Sequence, residues 1–367
     1  MRSVHSAALV GNSHLDNMRA AATPEAAVSR NHFVFEYPIG KGGFGKVWRV
    51  QHKRTKQTLA MKEMSKARVV SKRSVHSVMS ERKLLAVLKH PFIINMHYAF
   101  QDRDNLYLGL DYLMGGDLRY HLARKKRFTE EESLFLLACL LQALEYLHGN
   151  AVLHRDIKPE NLVLDSNGYL SLTDFGVARV WRADNAQDTS GTPGYMAPEV
   201  MCRQNHGVAA DYFAVGVMAY EFMLGRRPYL GRNRKEIRDA VLAKQVQVRK
   251  QDLPPGWSFA AADFINRLIQ RKPANRLGCN GCEEVKAHPW FFNFPWSALA
   301  DKSLPAPYFP EPGDNFDARV ASLDWKDEEE VAATPIVPGL FEGYFYDAQW
   351  LPPVSLEPRT RPRRLPV

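Results

Sequence analysis

Gly40, Gly42 and Gly45 are spaced G-x-G-x-x-G, a pattern that lets backbone amides approach a polyphosphate with no Cβ in the way. Dinucleotide-binding folds use the same spacing, and Glu63 stands at a tempting distance for their ribose acid; a plain tight turn is the bland alternative. The residues that follow discriminate. Residues 47–50 and 59–62 alternate like strands, whereas a dinucleotide fold needs a helix directly after the glycines. The loop is therefore predicted to join two strands of one hairpin. Lys62 lies inside the next apolar strand, and Glu81, nineteen residues on, shares a helix face with Val78, Leu85 and Leu88. Two unpaired buried charges would be costly, so the two are predicted to pair. The pair is either a core salt bridge without a ligand or a fixed ammonium beside the glycine loop, suited to polyphosphate oxygens.

The elements that must position these groups fall into two parts. Strands at residues 33–37, 47–50 and 59–62 predict a small antiparallel meander, and the long apolar helices 130–148, 211–224 and 261–270 predict a larger helical part. A connection near residues 110–116 joins them. From Phe294 the chain turns rich in Pro, Asp and Glu with isolated aromatic clusters, which predicts an extended tail. The 367 residues, 45% hydrophobic and 24% charged, have the composition of an ordinary globular protein, which excludes wholesale disorder and fibrous repeats. The longest apolar run, 134–141, is far short of the ~20 residues of a membrane span. Four cysteines, of which only Cys279 and Cys282 stand close together, make no disulfide framework and, without a second ligand pair, no structural zinc site. The first residues show no secretory pattern, so an intracellular location, cytoplasmic or nuclear, is expected.

The densest chemistry lies in His154-Arg155-Asp156-Ile157-Lys158-Pro159-Glu160-Asn161, followed eighteen residues after Asp156 by Asp174-Phe175-Gly176 and then by Ala197-Pro198-Glu199. Together with the glycine loop, Lys62 and Glu81, in that order, this set resembles the eukaryotic protein kinases. The resemblance implies an α+β, bilobal fold: a flexible leader 1–32, a kinase domain 33–291 with its small lobe at about 33–110 and its large lobe at about 117–291, a tail 292–350 and an Arg/Pro-rich disordered end 351–367. It implies ATP and Mg²⁺ as cofactors. Asp156 would orient the substrate hydroxyl, Lys158 would neutralise charge on the transferred group, and Asn161 and Asp174 would ligate the metal. Lys62, held by Glu81, would grip the phosphates; Ile39, Val47, Ala60 and Val163 would enclose adenine, Asp111 and Leu113 would read its edge, Leu110 would guard the back pocket and Asp117 would lie near the ribose.

Lys158 to Asn161 and Gly191-Thr192-Pro193 resemble the serine/threonine subgroup, and His288-Pro289-Trp290-Phe291, Leu304 to Tyr308 and Asn315-Phe316-Asp317 resemble its AGC group. This implies protein substrates bearing Ser or Thr near basic residues, with Asp117, Glu160 and Glu221 receiving arginines and Thr192 at the substrate; Gly194 stands where one relative has a further acid. It also implies a tail that wraps the small lobe, with Phe316 near the nucleotide and Phe341 and Tyr344 in a groove beside the Glu81 helix. Two departures concern regulation. Phe345 stands where relatives carry a phosphorylated Ser or Thr, and Asp188 stands where many carry the phosphorylated Thr that faces Arg155, with Thr189 or Ser190 as rival phosphosites; Thr334 before Pro335 is another. A regulatory subunit or an upstream kinase are the further partners this reading admits. A catalytically silent kinase-fold scaffold would require loss of Lys62, Asp156 or Asp174, none of which is lost. A nucleic-acid binder would concentrate the +9 net charge on one face, whereas the basic residues are spread along the chain.

Overall fold

A computed structural model of the chain describes residues 28–313, 315, 316 and 337–348. The expectations for residues 1–27, for Asp317, for the Thr334 phosphosite and for the Arg/Pro-rich end 351–367 lie outside the described residues. The α+β architecture in two lobes is observed. The small lobe is an antiparallel sheet built from β1 (Phe33–Lys41), β2 (Gly45–His52), β3 (Thr58–Ser65), β4 (Met96–Gln101) and β5 (Asn105–Asp111). A sixth strand, β10 (Tyr346–Asp347), comes from the tail, and the order across the sheet is β1-β2-β3-β5-β4-β10. Gly40 pairs with Val47 and Lys41 with Lys46, so the glycine loop is the turn of the β1–β2 hairpin. Alternation sets the faces: Leu59, Met61 and Val50 are fully buried.

Between β3 and β4 lie two helices, α1 (Lys66–Ser71) and α2 (Val75–Val87). The helix α2 buries Val78, Glu81, Leu84 and Leu85, and it ends just before Leu88, which the sequence reading had placed within it. The large lobe is organised by α3 (Leu118–Lys125), α4 (Glu130–Gly149), α5 (Ala209–Leu224) and α6 (Phe259–Leu268). In α4, Thr129 accepts from Glu132 N and the Glu132 carboxylate returns to Thr129 N, a reciprocal cap that fixes where the helix starts. Gly225, at φ +71°, ends α5 in the left-handed region that favours glycine. From Phe135 to Leu141 every residue of α4 is buried, which is why this stretch shows no polar face. Among the described residues no helix is long and apolar enough to cross a membrane.

Short strand pairs at the top of the large lobe carry the loops that matter most: β6 (Val152–Leu153) pairs with β9 (Arg179–Val180), and β7 (Leu162–Leu164) pairs with β8 (Leu170–Leu172). The two lobes are stitched where Leu172 N donates to Phe92 O at 2.9 Å and Ile94 N donates to Leu172 O at 2.9 Å.

Candidate active site

The roof of the cleft is the β1–β2 hairpin. A Cβ on Gly45 would fall 1.9 Å from Glu63 O, so glycine is required there by the close approach of β3 rather than by any ligand. Gly40, Gly42 and Gly43 meet no such obstacle and leave the hairpin backbone open toward the cleft. Directly below, Lys62 Nζ lies 2.8 and 3.1 Å from the two carboxylate oxygens of Glu81 and 3.5 Å from Asp174 Oδ1. Burial alone would lower the Lys62 pKa, but Glu81 and Asp174 outweigh it and hold the ammonium above the ordinary lysine range. Lys62 in turn holds the Asp174 carboxylate below its ordinary range, against the effect of burial. The lysine is therefore not closed off in a two-residue core bridge, because it also faces a carboxylate from the other lobe that is itself 47% exposed to the cleft.

Asp156 is held on all sides. Its Oδ1 accepts from Thr192 N at 2.9 Å and Thr192 Oγ1 at 2.7 Å, and its Oδ2 accepts from Lys158 Nζ at 2.7 Å and Asn161 Nδ2 at 3.1 Å. Asn161 Nδ2 also donates to Asp156 O at 2.8 Å, so the amide's nitrogen is committed and its oxygen remains as an acceptor. The loop that carries these groups is anchored from beneath by Asp211 at the start of α5. Its carboxylate accepts from His154 N at 3.0 Å and Arg155 N at 2.8 Å, and lies 2.9 Å from His148 Nε2. Burial would raise the Asp211 pKa, but His148, His154 and the loop amides overcome it and lower it, so the carboxylate stays charged. That clamp supports Arg155 at φ +69°, and Asp174 sits at φ +62°; two non-glycine residues in the left-handed region mark this as a backbone shaped by its surroundings.

Ile39, Val47, Ala60, Leu110, Leu113 and Val163 line one cleft of about 780 Å³ together with Lys62, Glu81, Lys158, Asn161 and Asp174. That combination of apolar walls and convergent polar groups suits a nucleotide-sized ligand. The hard oxygens of Asp174 and Asn161 in the same cleft are the donor type that Mg²⁺ takes. At the hinge, Asp111 commits its amide to Asn95 O at 3.0 Å, and its carboxylate to His97 Nε2 at 2.6 Å and Asn95 N at 2.9 Å. Asp117 borders the cleft but also caps α3, accepting from Tyr120 N at 2.8 Å; burial first, and Glu160 beside it, push its pKa up. Phe316 of the tail reaches the cleft rim and stacks on Tyr37 with ring centroids 6.2 Å apart. The tail crosses the hinge over Gly116, at φ +73°, where any Cβ would overlap Asn315 O.

On the segment after Asp174, Arg155 Nη1 lies 3.2 Å from Asp188 Oδ2, and the rest of its guanidinium is spent on Val177 O. Thr189 is half-buried next to this pair, with its carbonyl taken by Arg234 at 2.9 Å. Thr192, expected at the substrate, directs its amide and hydroxyl to Asp156 instead, which makes it a positioning group for that carboxylate. Glu160 and Glu221 converge, but on a residue of the chain itself: Arg119 Nε donates to Glu160 at 2.8 Å and Arg119 Nη1 to Glu221 at 2.8 Å. Glu221 is buried, whereas Glu160 is exposed and meets the guanidinium at the surface.

The tail packs its aromatics onto the small lobe. Phe341 and Tyr344 are buried, Gln101 Nε2 donates to Phe341 O at 2.9 Å, and Arg82 on α2 donates to the carbonyl of Phe345. Phe345, at the position the resemblance gives to a phosphorylated Ser or Thr, is itself 40% exposed.

Sequence reasoning missed Arg119, Asp211, Tyr195 and the strand β10. Asp211 carried a signal, an acid in the first turn of a largely apolar helix, which needs a buried partner. Arg119 carried none, because its partners come from residues 160, 195 and 221.

Residues 33–291 match the family model described as "Protein kinase domain". A probable serine/threonine-protein kinase of Dictyostelium discoideum is 36% identical over 326 residues, covering 87% of this chain and 70% of that protein. The serine/threonine-protein kinase Sgk1 of Fundulus heteroclitus is 37% identical over 316 residues, 85% of this chain and 72% of that protein. Ribosomal protein S6 kinase alpha-6 of Homo sapiens is 38% identical over 320 residues, and there the match spans 84% of this chain but 42% of the relative.

Proposed function

The chain belongs to the protein kinase family as an AGC-type serine/threonine kinase, and on that footing we propose that the cleft between its lobes holds ATP and Mg²⁺ and directs the γ-phosphoryl group to Ser or Thr hydroxyls of protein substrates. The observation that carries this reading is the convergence of Lys62, Glu81, Lys158, Asn161 and Asp174 on one cleft, with Asp156 hydrogen-bonded to two of them. ATP supplies the transferable phosphoryl group and Mg²⁺ the charge that makes its oxygens tolerable to an incoming hydroxyl. Asn161 and Asp174 are the residues that would hold the metal, and the open backbone of the glycine hairpin and Lys62 are those that would hold the phosphates.

The chain's own groups then divide the work. Asp156, immobilised by four hydrogen bonds, accepts the hydrogen bond of the substrate hydroxyl and aims its oxygen. Lys158, bonded to both Asp156 and Thr192, keeps a positive charge beside that oxygen as negative charge builds. Lys62 is kept charged and in place by Glu81. Basic residues N-terminal to the acceptor are the favoured substrate context, supported by the acids Asp117 and Glu160 on the cleft border and by Glu221 behind them, joined to Glu160 through Arg119. Transfer of labelled phosphate from ATP to a Ser peptide tests the assignment. Lys62→Met is expected to lower kcat/KM for ATP about 100-fold, the range seen when one preorganised charge donor is removed; an unchanged value sinks the role given to Lys62.

Control of the activity rests on Asp188. Its single negative charge faces Arg155, where a phosphate would bring about −1.5 to −2. Partial turnover without an upstream kinase follows, and Asp188→Ala should reduce it several-fold. Unchanged turnover in Asp188→Ala, with full dependence on a phosphate at Thr189, would refute this.

A further inference from the structure

Glu160, Glu221 and Tyr195 come from three separate stretches of the large lobe and meet around a single guanidinium. Arg119 places Nε 2.8 Å from Glu160 Oε1, Nη1 2.8 Å from Glu221 Oε1, Nη2 3.3 Å from Glu221 Oε2, and a further hydrogen bond on the Tyr195 hydroxyl. Tyr195 in turn donates to Glu221 Oε2 at 2.5 Å. Two carboxylates and a phenol oxygen arranged this way form a receptor for the flat fork of an arginine. Glu160 stands four residues beyond Asp156 in the same loop, so the receptor adjoins the point where a peptide's hydroxyl must lie. A second arginine packs beside the phenol. Arg227 lies over the Tyr195 ring at 5.7 Å, and its Nη1 fills the space beside Gly194 so closely that a Cβ there would come within 1.8 Å of it. Both carboxylates are thus engaged by one guanidinium of the chain itself, with Arg227 packed on the Tyr195 side.

We infer that Arg119 is a specificity-determining residue: a built-in occupant of the Glu160–Glu221 arginine subsite that an arginine of the substrate must displace. The inference rests on the protein kinase reading above. A tethered group competes at an effective concentration in the millimolar range, well above that of a dilute peptide. Arg119 therefore mutes the preference for arginine that the two acids would otherwise impose, and 43% exposure of the Glu160 side chain leaves a route for exchange.

The test compares kcat/KM for two Ser peptides, identical except that the two residues preceding the position next to the Ser are Arg in one and Ala in the other. In the full chain carrying Arg119→Gln, the Arg-over-Ala ratio is expected to rise about tenfold above the wild-type ratio, as a charge-assisted pair exchanged for a neutral one implies. Titration of agmatine, a free guanidinium probe, reads the subsite without turnover: millimolar binding to Arg119→Gln and none to wild type is expected. If Arg119→Gln is unfolded in a thermal melt, Arg119→Lys carries the test, since an ammonium cannot bridge both carboxylates, with a smaller rise in the same ratio. An unchanged ratio in a variant that turns over both peptides, or agmatine binding equally to both proteins, overturns the role of Arg119 and leaves the kinase reading intact. Turnover of neither peptide by wild type overturns the kinase reading and this inference with it.

Discussion

Asp156→Asn is expected to lower kcat about 1000-fold, within the range for loss of a positioned proton acceptor, while nucleotide affinity stays close to wild type. The side chain keeps its shape and so its place between Thr192 and the Lys158–Asn161 pair. What it loses is a charged acceptor. An amide that offers its oxygen to Thr192 N must turn its NH₂ toward the Lys158 ammonium and the Asn161 NH₂, where donors already crowd. An amide turned the other way clashes with the Thr192 amide instead. In neither orientation is there an acceptor fit to aim a substrate hydroxyl. Steady-state turnover on a Ser peptide, paired with calorimetric titration of ATP, separates the two effects. A fall in kcat of less than about tenfold, below the usual contribution of such a group, would remove Asp156 from the chemical step.

Arg276→Leu is expected to cost about 3–5 kcal/mol of stability, the usual consequence of stranding one partner of a buried ion pair. Arg276 is fully buried, and its Nη1 and Nη2 meet the two oxygens of Glu199 at 2.7 and 3.0 Å. Its remaining donors go to Ala209 O at 2.7 Å, Gln270 O at 2.9 Å and Arg271 O at 3.2 Å, and the guanidinium lies 5.0 Å from the Phe213 ring. Removing it leaves the Glu199 carboxylate buried without its cation and takes a donor from each of three carbonyls. At roughly 2–4 °C per kcal/mol for a domain of this size, a thermal melt should show a drop of about 10 °C. The double variant Arg276→Leu with Glu199→Leu should recover much of it, because a pair replaced by apolar groups no longer leaves a buried charge unmatched. Loss of stability in the double variant equal to that in the single one would contradict this account. Glu199 closes the segment that holds Asp188 and Thr192, so turnover in Arg276→Leu should fall with stability as well.

Much of the fold was legible because its signals are local. The hairpin around the glycines, the helix that buries Glu81 and the long apolar helices all follow from periodicity and turn chemistry within windows of about twenty residues. The pairing of Lys62 with Glu81 was legible for a different reason: a charge inside an apolar strand and another on an inward helix face have few ways to avoid a large penalty except each other. The same logic applied to Asp211 would have found a buried acid, but not that it clamps the backbone of residues 154 and 155, since amide donors leave no trace in a sequence.

By itself the sequence determined which chemical groups are present, their order, and the strands and helices that bear them, since those depend on side-chain type and short-range repeat. Only the tertiary structure decided how the charges are shared. It gave Glu160 and Glu221 to Arg119, more than forty and one hundred residues away, turned Thr192 toward Asp156, made Gly45 a matter of strand packing, and added Tyr346 to the sheet edge beside β4. The physical reason is that the free energy of an ionic or hydrogen-bonding group depends on what surrounds it in space, within a few ångströms and at a given burial. Those surroundings are brought together by segments that are remote along the chain.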